Sequence, residues 1–168
     1  MPLSSYQPAQ KKIVIASLAV LAAGIFLFTA VLRHTMRSVT VLNETDYVMA
    51  IPEGFVYSCE PILADGALTL RGWAVVQGEG VKTVDCRVVL YDAAAGEYLC
   101  LPTMMEIDET PTEVLNDGVY YGRGSFVSIV PIRQLPAPIG NYELCFAYRS
   151  NGYNNLICTG QLLEVAGS

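Results

Sequence analysis

Hydrophobic and polar positions follow two different rhythms along this chain. From Ile13 to Leu32 the run IVIASLAVLAAGIFLFTAVL is apolar and carries no charge. As a helix, about 20 residues span roughly 30 Å, the hydrocarbon thickness of a bilayer, so the run predicts a single N-terminal transmembrane helix. A secretory signal peptide is the competing reading. Its apolar region is usually about 7–15 residues long and ends at a small-residue cleavage site, and no A-x-A follows the run here. From Tyr47 onward the rhythm shortens to β-rich runs separated by Gly, Pro, Asn and Asp. The predicted strands are YVMAIPEGFVYSCEPIL (one or two, broken at Pro52-Glu53-Gly54), ALTLRGWAVV, KTVDCRVVLYD, EYLCLPT, GSFVSIVPI, NYELCFAYRS and NLICTGQLLEV. Turn chemistry at Asp65-Gly66, Gly78-Glu79-Gly80, Asp92 to Gly96 and Asn151-Gly152 separates them. Strands of this length and spacing predict an all-β domain of two packed antiparallel sheets, because each sheet has one apolar face to hide. No helical period is visible outside the first run.

The predicted organisation is a short polar tail over residues 1–12, the helix over 13–32, a juxtamembrane linker over 33–46 and a β-domain over 47–168. A chain of 168 residues holds one such domain plus an anchor. Charge divides along the same line. Lys11, Lys12, Arg33 and Arg37 give residues 1–37 a charge of +4, whereas the remaining six basic and sixteen acidic side chains give residues 38–168 a net charge of −10. An acidic domain is repelled by phosphate backbones, so nucleic-acid binding is not expected. Basic residues flank the helix on both sides, and the positive-inside rule leaves its orientation open.

Two cysteines bear on the compartment. In CFAYRSNGYNNLIC, Cys145 lies six positions before Asn151 and Cys158 six after Gly152. A two-residue type I′ turn at Asn151-Gly152 places Ser150 opposite Tyr153 and Cys145 opposite Cys158. Counting outward, that pair falls at a non-hydrogen-bonded position, where Cα atoms approach to about 4.5 Å, at the short end of the range a disulfide spans. Cys145–Cys158 is therefore a candidate disulfide, with a pair of small buried hydrophobes as the alternative. Cys86 and Cys100 are a diagonal and poorer pair, and Cys59 is the odd cysteine. An oxidised pair belongs outside the cytosol, which agrees with a short tail, one anchor and an exported β-domain at the cell membrane.

At LPAPIGNYELCFAY, the arrangement of Leu135, Pro136, Pro138 and Tyr142 resembles the tyrosine corner of fibronectin type III and immunoglobulin-like β-sandwiches. The resemblance implies that the Tyr142 hydroxyl bonds the backbone a few residues upstream and that Trp73 is the core tryptophan. The chain departs from antibody domains in lacking a Cys-Trp-Cys framework around Trp73 and in placing Tyr142 three residues before Cys145. It implies an architecture used for adhesion, spacing and ligand binding; fold alone assigns no function.

Chemistry is sparse. The single histidine, His34, lies at the border of the apolar run, which removes histidine-based catalysis from the domain. The cysteines are dispersed with no C-x-x-C, so no metal site is predicted, and no nucleotide loop or other cofactor motif is present. The longest connection, MMEIDETPTEVLNDGVYYGRG, carries Glu106, Asp108, Glu109, Glu113 and Asp117. These carboxylates are candidates for binding, for chelating calcium or for a glycosidase pair, although a solvated acidic loop is the plainer account. Tyr120, Tyr121 and Tyr153, if exposed, would stack on sugars or anchor a protein partner. Asn43-Glu44-Thr45 matches a glycosylation sequon. Within the helix, Ala16, Ala23 and Ala30 recur every seven residues with Ala19 on the same side, a seam along which two helices approach closely. The expected function is a non-catalytic binding or interaction module of the cell envelope, with a protein or glycan partner at the surface. The alternatives are an assembly subunit or homo-oligomer held together through the helix, and a carboxylate-dependent glycan-processing accessory protein.

Overall fold

The structure is a computed structural model describing residues 8–35, 38–83 and 85–164. Of the predicted tail, residues 1–7 lie outside the described residues, as do Arg37 and the side chains of Arg33 and His34. The chain divides into two units, residues 1–37 and 38–168.

The described residues of the first unit form one α-helix, α1 (Pro8–Thr35). Proline is favoured in a first helical turn because its missing N–H has no intrahelical partner there. The stretch Lys11–Leu32 is long and apolar enough to cross a membrane, and its side chains are exposed within the unit. Of the two hydroxyl side chains in this stretch, Ser17 and Thr29, that of Thr29 is satisfied within the helix, its Oγ1 donating to Ile25 O at 2.8 Å. Ala16, Ala19, Ala23 and Ala30 lie on this exposed helix surface.

Among its described residues the second unit contains nine strands: β1 (Thr40–Leu42), β2 (Phe55–Ala64), β3 (Ala67–Val76), β4 (Cys86–Asp92), β5 (Glu97–Cys100), β6 (Thr103–Glu106), β7 (Ser125–Pro131), β8 (Tyr142–Tyr148) and β9 (Asn155–Leu162). They form a five-stranded sheet in the order β1-β5-β4-β8-β9 and a four-stranded sheet in the order β2-β3-β7-β6, antiparallel at every pairing. Two of these strands differ from the sequence reading. β1 lies within the stretch read as linker and pairs Val41 with Leu99. EYLCLPT divides at Pro102, where the chain passes from β5 of one sheet to β6 of the other. The acidic connection also holds a short helix, α2 (Thr110–Leu115), with Pro111 in its first turn. Six residues are too few to show a helical period.

Both sheets bury one face in a common core. Leu68, Leu70, Ala74 and Val76 of β3 meet Val88 and Leu90 of β4 and Leu144, Phe146 and Tyr148 of β8. Phe146 sits at its centre, wholly buried, with ring centroids 5.2 Å from Tyr57, 5.6 Å from Phe126 and 6.1 Å from Phe55. The outer faces are covered as well. On the five-stranded sheet, Val89, Cys100, Cys145, Ala147 and Leu156 pack with Tyr47, Tyr91 and Tyr98. The Arg149 guanidinium stands 4.5 Å from the Tyr47 ring centroid, a cation–π contact that holds the cover down. Residues just after Tyr47 strap the edge of β9: Val48 N donates to Asn154 O at 2.8 Å, and Leu156 N donates to Val48 O at 3.0 Å.

Trp73, expected in the core between the sheets, lies on the outer face of the four-stranded sheet with Val75 and Tyr121. The alternation of β3 explains it: Leu70 and Ala74 face inward, so Trp73 between them must face outward. Tyr142 is wholly buried, and its hydroxyl accepts a hydrogen bond from Ala137 N at 2.7 Å, five residues upstream. Tyr142→Phe keeps the ring and leaves that N–H without its acceptor. The substitution is expected to cost about 1–2 kcal/mol, seen as a lower urea midpoint at unchanged slope. An unchanged midpoint would show that the corner does not depend on this bond.

Candidate functional site

The hairpin joining β8 and β9 sets one side of the site. Asn151 (φ 55°) and Gly152 (φ 87°) both occupy the left-handed region, and Tyr153 N donates to Ser150 O at 3.0 Å. These are the features of a type I′ turn, whose second position asks for glycine. Asn151 then clamps the crossover from β3 to β4. Its Oδ1 accepts from Lys82 N at 2.8 Å, its Nδ2 donates to Gly80 O at 3.1 Å, and its backbone N donates to Thr83 Oγ1 at 2.7 Å. Next to the clamp, Tyr153 is half-buried, packs on Tyr148 and donates from its hydroxyl to Glu79 Oε1 at 2.9 Å. Donating to a carboxylate raises the Tyr153 pKa, because the phenolate would have to face that anion.

Opposite the hairpin, the acidic connection folds over the outer face of the four-stranded sheet. Tyr121 is its anchor and is wholly buried against Trp73 and Val75, not exposed as predicted. Its hydroxyl accepts from Gly78 N at 2.6 Å and donates to Asp117 Oδ2 at 2.6 Å. This phenol, followed by Val119 N, favours the charged carboxylate and lowers the Asp117 pKa. Asp117, Glu79, Glu53, Gln77, Gly78 and Tyr153 thus line one open cleft of about 640 Å³ at the hairpin end of the domain. Three of these groups are carboxylic acids, so the cleft suits a cationic group or a hydroxyl-rich surface.

Of the predicted binding residues, the structure brings Asp117 and Tyr153 together in this cleft. The others serve the connection itself. Glu106 pairs with Arg71 at 3.0 Å. Asp108 accepts from Thr110 N at 3.0 Å and from Thr110 Oγ1 at 2.7 Å, which lowers its pKa and fixes the turn leading into α2. Glu109 accepts from the hydroxyl of the exposed Tyr120 at 3.2 Å, and Glu113 is exposed on α2. Glu53, Gln77, Gly78 and Glu79 were not predicted. Their one sequence signal was the Gly78-Glu79-Gly80 turn, which gives no hint of what it faces.

The cysteines form a second cluster. Cys145 and Cys158 are register partners, and because Leu156 N points away from β8 to Val48 O, the alternation makes 145/158 a non-hydrogen-bonded pair. The expected disulfide is not formed: all five cysteines are free thiols. The two facing sulfurs influence each other's ionisation, which lowers the Cys158 pKa and raises that of Cys145. Cys86 faces the inter-sheet core while Cys100 faces the opposite side of the same sheet, so they do not meet. Burial pushes the Cys59 thiol up to about 12. Among the described residues, one group brings three metal-ligating atoms within 4.8 Å of one another: Glu143, Cys145 and Cys158. Comparisons with protein-family models, with curated proteins and with solved structures gave no match to this chain, which leaves the geometry of these two sites to carry the functional reading.

Proposed function

We propose that the protein is a single-pass, membrane-anchored β-sandwich of the immunoglobulin and fibronectin type III kind, displayed outside the cytosol as a non-catalytic binding module of the cell envelope. The observation that carries this reading is the acidic cleft. Loops from four parts of the chain converge there, and hydrogen bonds at Asn151, Tyr121 and Tyr153 fix them before any partner arrives, which limits the ordering cost of binding. Its carboxylates and the Tyr153 ring favour a protein partner that presents a basic segment. A sugar surface stacked on Tyr153 is the alternative ligand. The apolar stretch of α1 supplies the anchor, and the net charge of −10 after residue 37 keeps the domain from lying on anionic lipid. A second reading, assembly within the bilayer, draws on the alanines of α1, whose surface is uncovered within its unit.

Two linked measurements test the proposal. Protease added to intact cells should remove a tag placed after Ser168, with lysed cells as the control; protection of the tag overturns the topology. Full-length chain in detergent should retain an envelope protein, and Glu79→Gln with Tyr153→Ala should reduce that retention by about 30-fold, the effect of losing one hot spot of about 2 kcal/mol. Equal retention by the variant would exclude the cleft as the binding surface.

A further inference from the structure

Cys145 and Cys158 face each other on the outer side of the five-stranded sheet, and Glu143, two residues before Cys145 on β8, points to the same side. The pairing of β8 with β9 shifts just beyond the cysteines, between Glu143 and Cys145. There Thr159 Oγ1 donates to Leu144 O at 2.7 Å, and Gly160 takes a φ of 72°. The bulge turns Gly160 N toward Glu143 Oε1, to which it donates at 2.7 Å. A carboxylate is thereby oriented by a backbone amide beside two facing sulfurs, and all three ligand atoms lie within 4.8 Å of one another. Outer hydrogen bonds of this kind hold metal ligands in place, and a carboxylate oxygen has lone pairs for both the amide and an ion.

We propose that Glu143, Cys145 and Cys158 bind a thiophilic divalent d¹⁰ cation of the Zn²⁺ class. This goes beyond the proposed binding function and does not depend on it. Two thiolates select against the hard ions Ca²⁺ and Mg²⁺, and two sulfurs with one carboxylate oxygen make three corners of the tetrahedron Zn²⁺ adopts. Cys145 is wholly buried while Glu143 and Cys158 are half-buried, so the ion enters from the solvent side and the fourth corner opens outward to water. Binding forms two metal–sulfur bonds and one metal–oxygen bond and releases the two thiol protons to solvent, with no change of oxidation state.

The test uses the reduced full-length chain in detergent, with Cd²⁺ as a spectroscopic probe. The expected result is an ultraviolet thiolate-to-cadmium charge-transfer band that saturates at one ion per chain and is removed by competing Zn²⁺. Cys158→Ser should eliminate the saturable band, and Cys59→Ser and Cys100→Ser should leave it unchanged. Glu143→Gln preserves an acceptor for Gly160 N and tests the third ligand without disturbing the sulfurs; it should keep the band while weakening affinity by at least about tenfold. Circular dichroism of each variant establishes that it is folded. A band indifferent to Cys158→Ser in folded protein, full affinity in Glu143→Gln, or no band in wild type with both thiols titrating as reduced would overturn the proposal.

Discussion

Phe146→Ala is expected to lower the stability of the β-domain by about 3–5 kcal/mol, the usual cost of deleting a buried phenylalanine ring. The ring is 0% exposed and meets Tyr57, Phe126 and Phe55, all of which belong to the opposite sheet. Removing it takes away the dispersion contacts that hold the two layers together at one point. The neighbouring rings sit on two different strands, and neither strand can move inward without breaking its own ladder. Whole-domain stabilities are about 5–15 kcal/mol, so the variant should sit close to the unfolding threshold. Urea titration of full-length protein in detergent would measure it. A loss below about 1 kcal/mol would mean that this ring does not join the sheets.

Gly72→Ala should be nearly as costly, at about 3 kcal/mol, for a different reason. Gly72 lies mid-strand in β3, paired with Cys59 on one side and Phe126 on the other. A Cβ there would overlap Ser58 O, and it would stand 2.8 Å from Ser58 C and 2.9 Å from Cys59 Cα. These are backbone atoms, so no side-chain rotation relieves the overlap; β2 itself must move away, breaking ladder bonds. The same titration reads this out as a lower midpoint. Full tolerance of alanine would show that β2 and β3 do not pair in this register.

What could be read from the sequence is what local chemistry determines. Asn151-Gly152 forms the expected turn and brings Cys145 opposite Cys158, because two left-handed residues admit few other geometries. Tyr142 hydrogen-bonds its upstream backbone at Ala137, again over a few residues. Trp73 and Tyr121 escaped the same reasoning. β3 is apolar on both faces, with Leu70 and Ala74 on one side and Trp73 and Val75 on the other, and the cover for the second face comes from a connection some forty residues later. The acidic cleft was hidden for a similar reason, since Glu53, Glu79, Asp117 and Tyr153 meet only once both sheets have formed. Glu143 was closer to hand. Its spacing of two from Cys145 already puts both on one side of a strand, but the bulge that turns Gly160 N toward its carboxylate has no comparable signal.

The strap at Val48 also bears on how copies of this protein treat one another. A sheet edge with free N–H and C=O groups is a template for another chain's strand, and long flat edges seed fibres. Here the outer edge of β9 is occupied at Asn154 and Leu156 by Val48 of the same chain. β2, the longest edge strand, is interrupted at Pro61, which has no amide hydrogen to offer. The remaining edges, β1 and β6, run for three and four residues. Among the described residues each sheet edge is therefore short, interrupted by proline or partly occupied by the chain itself, features that disfavour strand addition by a second molecule.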